Sequence, residues 1–484
     1  MNFRKKTFNA LKWSTISTVT KCCLSLIQMM ILVRFLDPYD FGLIALATVV
    51  IGFSQIFSDF GISNAIIHKK EIENDALSSL FWLNIIAGVI VYSLVAMISP
   101  IIAKFYHEPR LTQLILLMGL TLLIQPLGQL FSILRQKEMD FKTIAVIEII
   151  NNLLTFTISL IMVCFGFGYY ALAWGIVFAT VLQAIQFFII GILHYNLQFH
   201  FKIKEIKFFL KFGLYQMGER TINYFTYQFD VILIGNLLGT TQLGMYNIVK
   251  QLVMYPAMII NPIITRATFP AMAKTQNKTI LLKMVYKKTI NYLCSINFPI
   301  YSFIFIFSHE IITLLYGQKW ITAIPLLPIL AIWAAIRSTG NPVGSLLLAR
   351  GKANWGFWWV LGVGLFSPLT IYIGSWWGLK GICWSMLIFS FPIGMVANWY
   401  FLVKRLCGVN FWEYHLQIFK QAMISIISIA IVKMVIMLSS FLIHLPYYFY
   451  LKIAISIFIG IIMVFILNYN YNKKIFSDFK EMFK

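Results

Sequence analysis

Apolar runs of about 20 residues, parted by short polar or Gly/Pro clusters, recur from one end of this chain to the other. They fall at 11–33, 42–61, 80–103, 111–134, 143–165, 169–194, 211–238, 243–262, 290–315, 321–348, 354–375, 378–403, 418–441 and 449–468. Each is long enough to carry a helix across a hydrocarbon core of ~30 Å. The pattern predicts an all-α integral membrane protein of about fourteen transmembrane helices. The first and seventh runs depart most from it, since both contain charges. A membrane β-barrel is excluded, because its strands need only about ten alternating residues.

Composition agrees. Of 484 residues, 60% are hydrophobic and 12% charged, with a mean hydropathy of +0.81, against roughly 25% charged in soluble domains. The net charge of +22 would suggest nucleic acid in a soluble protein. Here its placement matters more than its sum. Alternate connections hold 28 Lys and Arg on one side, from Arg4, Lys5 and Lys6 to the tail Lys473, Lys474, Lys480 and Lys484. The other side holds 6: Arg34, Lys104, Arg110, Lys319, Lys380 and Lys452. By the positive-inside rule both termini lie in the cytoplasm.

Other features shift this picture little. The first run follows a basic start but contains Lys21 and lacks a small-residue cleavage site, so it reads as a retained helix. Cys22, Cys23, Cys164, Cys294, Cys383 and Cys407 show no pairing or metal-ligand spacing. No metal, cofactor or nucleic acid is expected. The largest connection, a basic stretch near 263–289, is too short for a separate domain. Trp355, Trp358 and Trp359, with Trp376 and Trp377 beyond the eleventh run, fit interfacial belts.

The chain repeats itself. "RFLDPYDFGLIAL" (Arg34 to Leu46) matches "NLLGTTQLGMYNI" (Asn236 to Ile248), with Asp37 against Gly239 and Gly42 against Gly244. "PLGQLFSILRQK" (Pro126 to Lys137) resembles "PVGSLLLARGK" (Pro342 to Lys352), and Gly168 and Trp174 align with Gly378 and Trp384. Three matches in one order, at offsets of about 202 to 216, predict two six-helix repeats running the same way across the membrane. Parallel repeats are related by an axis along the membrane normal, with a substrate site between them. The expected lobes are 1–200 and 201–410, and 411–484 adds two further transmembrane helices and a cytoplasmic tail.

Ionisable side chains within the runs cost about 2.5–3.5 kcal/mol each at mid-membrane, so they face a cavity or a partner. Lys21, Asp59, Glu148, Glu219, Arg220, Asp230, Lys250, Arg337 and Lys433 qualify. Helical spacing places Ser14, Ser17, Lys21, Ser25 and Gln28 on one polar stripe of the first run. Gln216, Glu219, Arg220, Asn223, Thr226, Tyr227 and Asp230 line the seventh, and Glu148, Asn151, Asn152, Thr155 and Ser159 the fifth. Lys21 and Lys250 have no acid beside them and suit a hydrated cleft. Asp59 can instead serve the basic His68-Lys69-Lys70, Arg220 can snorkel, and Lys433 reads as structural. A cleft holding Lys21, Gln28, Arg220, Lys250 and Arg337 attracts an anion, phosphate above all. Asp59, Glu148, Glu219 and Asp230 are candidates for coupling to protons or cations.

"RFLDPYDFGLIAL", "SDFGISNAIIHKKEI", "DVILIGNLLGTTQLGMYNI" and "NPIITRATFPAMAK" resemble the Wzx-type flippases. These form the polysaccharide-exporter branch of the multidrug/oligosaccharidyl-lipid/polysaccharide (MOP) superfamily, and the likeness is to its colanic-acid-exporter-like group. The resemblance covers essentially the whole chain. It implies a V-shaped pair of six-helix lobes plus a helix pair, working by alternating access through a cationic cavity. The implied substrate is a polyprenyl-diphosphate-linked oligosaccharide for O-antigen, capsule or exopolysaccharide synthesis, with polymerase and assembly proteins as further partners. The chain is then a transporter and not an enzyme. A drug/cation antiporter of the same superfamily would rely on buried carboxylates and a less cationic cleft. A membrane glycosyltransferase or polymerase would need carboxylate or His constellations on long outer loops, whereas His107, Glu108, Asp37 and Asp40 are scattered on short ones.

Overall fold

The computed structural model describes residues 3–69 and 72–442, and among them every regular element is helical. In chain order they are α1 (Phe3–Phe35), α2 (Pro38–Ser58), the short α3 (Ile62–His68), α4 (Asn74–Phe105), α5 (Arg110–Lys137), α6 (Phe141–Cys164) and α7 (Tyr170–His194). There follow α8 (Ile203–Leu237), α9 (Thr240–Lys274), α10 (Thr279–Ile306), α11 (Ser308–Leu315), α12 (Leu326–Gly340), α13 (Pro342–Ala349) and α14 (Ala353–Ser375). The last are α15 (Gly378–Phe389), α16 (Lys404–Cys407) and α17 (Phe411–Leu442), with the π-helical stretches Ser390–Ala397 and Trp399–Val403 between α15 and α16. Each of the first thirteen apolar runs lands on one of these helices or a broken pair of them. The fourteenth, 449–468, lies outside the described residues, as do the tail lysines.

Eleven of the described helical segments are long and apolar enough to cross a membrane. α8 is not among them, because its polar stripe dilutes its hydropathy. Nor is the tenth run, which breaks at Asn341–Pro342 into α12 and α13. The protein is a multi-pass membrane protein. Its helices overrun the apolar runs where their ends are charged: α8 begins at Ile203 and α9 continues to Lys274. Hydropathy sees only the length that sits in hydrocarbon. Thus the basic connection expected over 263–289 is a turn of four residues, Thr275–Lys278, between two long helices. α9 runs through Pro256, Pro262 and Pro270, and Thr265, Thr268 and Thr275 donate hydroxyl bonds to carbonyls four residues back.

The chain divides into two compact units, Met1–Ile248 with Val360–Ser375, and Val249–Trp359 with Trp376–Lys484. The first unit is centred on Ile62, Leu80, Phe81, Leu130, Phe131 and Phe209. The second is centred on Tyr286, Leu346, Val403 and Tyr414. Of the tryptophans expected in interfacial belts, Trp358, Trp376 and Trp377 are 65%, 68% and 70% exposed, whereas Trp355 and Trp359 are half-buried against the core of the second unit.

Within the first unit the N-terminal turns of α2 and α9 cross at backbone distance. A Cβ on Gly42 would collide with the carbonyl oxygen of Thr240, and one on Gly244 with that of Pro38. Gly42 and Gly244 are aligned positions of the repeat, and so are Pro38 and Thr240. Such reciprocity, in which i meets j′ and i′ meets j, is what a two-fold relation produces. Local chemistry prepares the crossing. Pro38 opens α2 with its ready-made φ, the Asp37 N–H donates to the Asp40 carboxylate at 3.1 Å, and Gly239 turns the chain at φ +84°.

Candidate functional site

In the first unit, the polar stripe of α1 meets that of α6. The Ser17 hydroxyl donates to the Glu148 carboxylate, and Gln28 Nε2 donates to Ser159 Oγ at 3.5 Å. On α6, Asn151 Nδ2 separately donates to Gln186 Oε1 of α7 at 3.1 Å. Lys21, one turn beyond Ser17 on the same stripe, is exposed.

A second cluster joins α2, α3, α5 and α8. Asp59, only 6% exposed, accepts from the Arg220 guanidinium at 2.5 Å, from Gln129 Nε2 at 2.7 Å and from the Ser63 hydroxyl. The backbones approach closely here too. A Cβ on Gly213 of α8 would strike the carbonyl oxygen of Phe60, so the glycine admits α8 to the α2–α3 turn. Two sequence candidates with different expected roles, Asp59 for ions and Arg220 for anions, are therefore partners of each other. Glu219 beside them is exposed. Further along α8, the buried Asp230 accepts from the Tyr246 hydroxyl of α9 at 2.5 Å and from the Val231 N–H at 2.9 Å.

Glu108, in the α4–α5 connection, accepts from the Tyr39 hydroxyl at 2.5 Å and from the Thr240 hydroxyl at 2.6 Å. It clasps the two helix starts that cross at Gly42 and Gly244, and the Arg110 guanidinium lies 5.8 Å from the Tyr39 ring. The sequence offers no signal for this role. Glu108 lies outside the apolar runs, and its partners are 69 and 132 residues away.

In the second unit, Lys250 is half-buried on α9 and Arg337 is exposed on α12, its guanidinium 5.1 Å from the Trp333 ring. Asn261 connects their helices. It accepts from Asn297 Nδ2 of α10 at 2.8 Å and donates to the Ser338 carbonyl at 3.5 Å. Lys433 is held by the Ile306 carbonyl at 2.7 Å and by Glu310 at 3.3 Å, which is a packing role.

Over residues 31–325 the sequence matches the family described as polysaccharide biosynthesis protein. The lipopolysaccharide biosynthesis protein WzxC of Escherichia coli (strain K12) is 32% identical over 419 residues, covering 86% of this chain and 85% of the relative. The teichuronic acid biosynthesis protein TuaB of Bacillus subtilis (strain 168) is 31% identical over 433 residues, 87% of each chain. In fold, the chain resembles the lipid II flippase MurJ in an inward closed conformation, with a TM-score of 0.76 at 14% identity over 96% of this chain and 100% of the other. An inward-facing multidrug resistance MATE family transporter of the MOP superfamily gives 0.59 at 12%, over 81% and 98%.

Proposed function

Because the chain belongs to the polysaccharide biosynthesis protein family, we propose that it is a flippase for a polyprenyl-diphosphate-linked oligosaccharide. It carries this lipid from the cytoplasmic to the outer leaflet of the cytoplasmic membrane by alternating access, and it breaks and makes no covalent bond. The family match over residues 31–325 carries the reading, and the polar stripes within apolar helices support it. Both termini are cytoplasmic, and the repeats correspond to 1–200 and 201–410, with 411–484 appended.

Lys21, Gln28, Arg220, Lys250 and Arg337 are the side chains proposed to supply donors to the diphosphate as it crosses. Charge-assisted bonds to phosphate strengthen where water is scarce. Glu148, Asp59, Glu219 and Asp230 couple the cycle to protons or cations. Coupling supplies direction where the ion has a gradient across the membrane and binds the two states of the cycle with different affinity. The product leaves for a polymerase that joins the repeat units outside.

Deletion of the gene tests this directly. Lipid-linked oligosaccharide should accumulate in the inner leaflet and surface glycan should disappear. Lys21→Ala and Lys250→Ala should each abolish export while the protein stays in the membrane. Normal glycan export in the deletion strain, with uptake of fluorescent cations by vesicles containing the protein, would replace the flippase by a drug antiporter.

A further inference from the structure

One side-chain cluster of the first unit has no part in the transport reading. Asp75 at the start of α4, His200 in the segment joining α7 to α8, and Glu205 in the first turn of α8 bring their donor atoms within 4.8 Å of one another. His200 Nε2 lies 2.9 Å from Glu205 Oε1 and 4.0 Å from Asp75 Oδ2. Ligands about 2.0–2.1 Å from a tetrahedral zinc ion stand about 3.3 Å apart, so the two separations bracket the value required.

The surroundings are built to hold these donors. Ser79, fully buried, donates to Glu205 Oε2 at 3.1 Å and accepts the Lys202 N–H at 3.1 Å. Ser78, also fully buried, accepts the Gln198 N–H at 3.1 Å. Trp82 Nε1 donates to the Gln198 carbonyl at 3.2 Å, and its ring stacks on Phe199 at 5.1 Å. The joining segment is thus fastened to α4 on both sides of His200, and the Ser79 hydroxyl orients the Glu205 carboxylate. The Lys202 ammonium, 4.0 Å from Glu205 Oε1, is on a side chain 66% exposed and can swing into water. Asp75, 54% exposed, leaves the cluster open to ions from solvent.

We propose that Asp75, His200 and Glu205 form a site for a divalent transition-metal ion, zinc by preference. One imidazole and two carboxylates suit a borderline cation with a water in the fourth position. The ion clips the connection between α7 and α8 to the start of α4, at the point where the first repeat hands over to the second. Binding forms a bond from the His200 Nε2 lone pair to the ion, and the proton that nitrogen shared with Glu205 leaves to solvent.

The test uses the full chain in detergent, purified through a tag free of histidine, and zinc chloride alone as probe. Equilibrium dialysis with elemental analysis should give one equivalent more zinc for the native chain than for His200→Ala, and zinc should raise the thermal midpoint of the former only. Asp75→Asn and Glu205→Gln keep the polar packing and guard against misfolding of the alanine variant. Each should weaken zinc at least about tenfold. Equal zinc binding by the native chain and by all three variants would overturn the proposal, because the free cysteines would then account for the metal.

Discussion

Asp59 shows what a single buried charge demands. Three donors converge on it, and Arg220 is the only cation among them. Removing that partner strands the carboxylate, which costs about 3 kcal/mol for a buried pair; the low end applies because the Arg220 side chain is 34% exposed. Arg220→Ala should therefore lower the temperature at which half of the purified protein survives heating, and adding Asp59→Asn should restore part of the loss. Additive losses in the double variant would mean the two side chains act separately. Tyr246→Phe tests the second acid. It removes the hydroxyl from buried Asp230 and should cost ~1–3 kcal/mol by the same heating assay. Both acids were visible in the sequence as charges inside apolar runs. The partner of Asp59 was not: the basic His68-Lys69-Lys70 was the nearer choice along the chain, whereas Arg220 is 161 residues away. Spacing reveals which face of a helix is polar but not which helix it meets.

At the level of elements, the α2–α9 crossing separates two kinds of glycine. Gly42 and Gly244 meet backbone carbonyls, which cannot move aside as a flexible side chain can. Gly218 on α8 has nothing within 4 Å and ordinary helical φ. Gly42→Ala or Gly244→Ala should separate the helix starts, stretch the Glu108 clasp and reduce glycan export and heat resistance together. Gly218→Ala should leave export intact and gain about 0.5–1 kcal/mol from helix propensity. Equal tolerance at all three positions would show that the crossing is loose. The crossing was legible because Gly42 and Gly244 stand in matching punctuation. The lengths of α8 and α9 were not, since their ends carry charges that hydropathy reads as loop. Nor was Glu108, whose role exists only once the two helix starts are brought together.

For the molecule as a whole, the distribution of cations makes the strongest statement about orientation. Lys and Arg number 28 against 6 across alternate connections, and such a bias sets which side faces the cytoplasm. The turn Thr275–Lys278 belongs to the rich side and Trp376–Trp377 to the poor one, as does His107 between α4 and α5. In a background without the native cysteines, an impermeant maleimide should label His107→Cys and Trp376→Cys on intact cells. It should reach Lys278→Cys only after the membrane is opened. The same reagent settles the parity of the chain. An even number of crossings returns the C-terminus to the side of the N-terminus, and the run at 449–468 is the one that makes the expected number even. Cysteines placed at both ends should therefore be protected together in intact cells. Labelling of the C-terminal cysteine alone would mean that 449–468 does not cross, and the tail lysines would then face the outside, against the charge bias that orients everything before them.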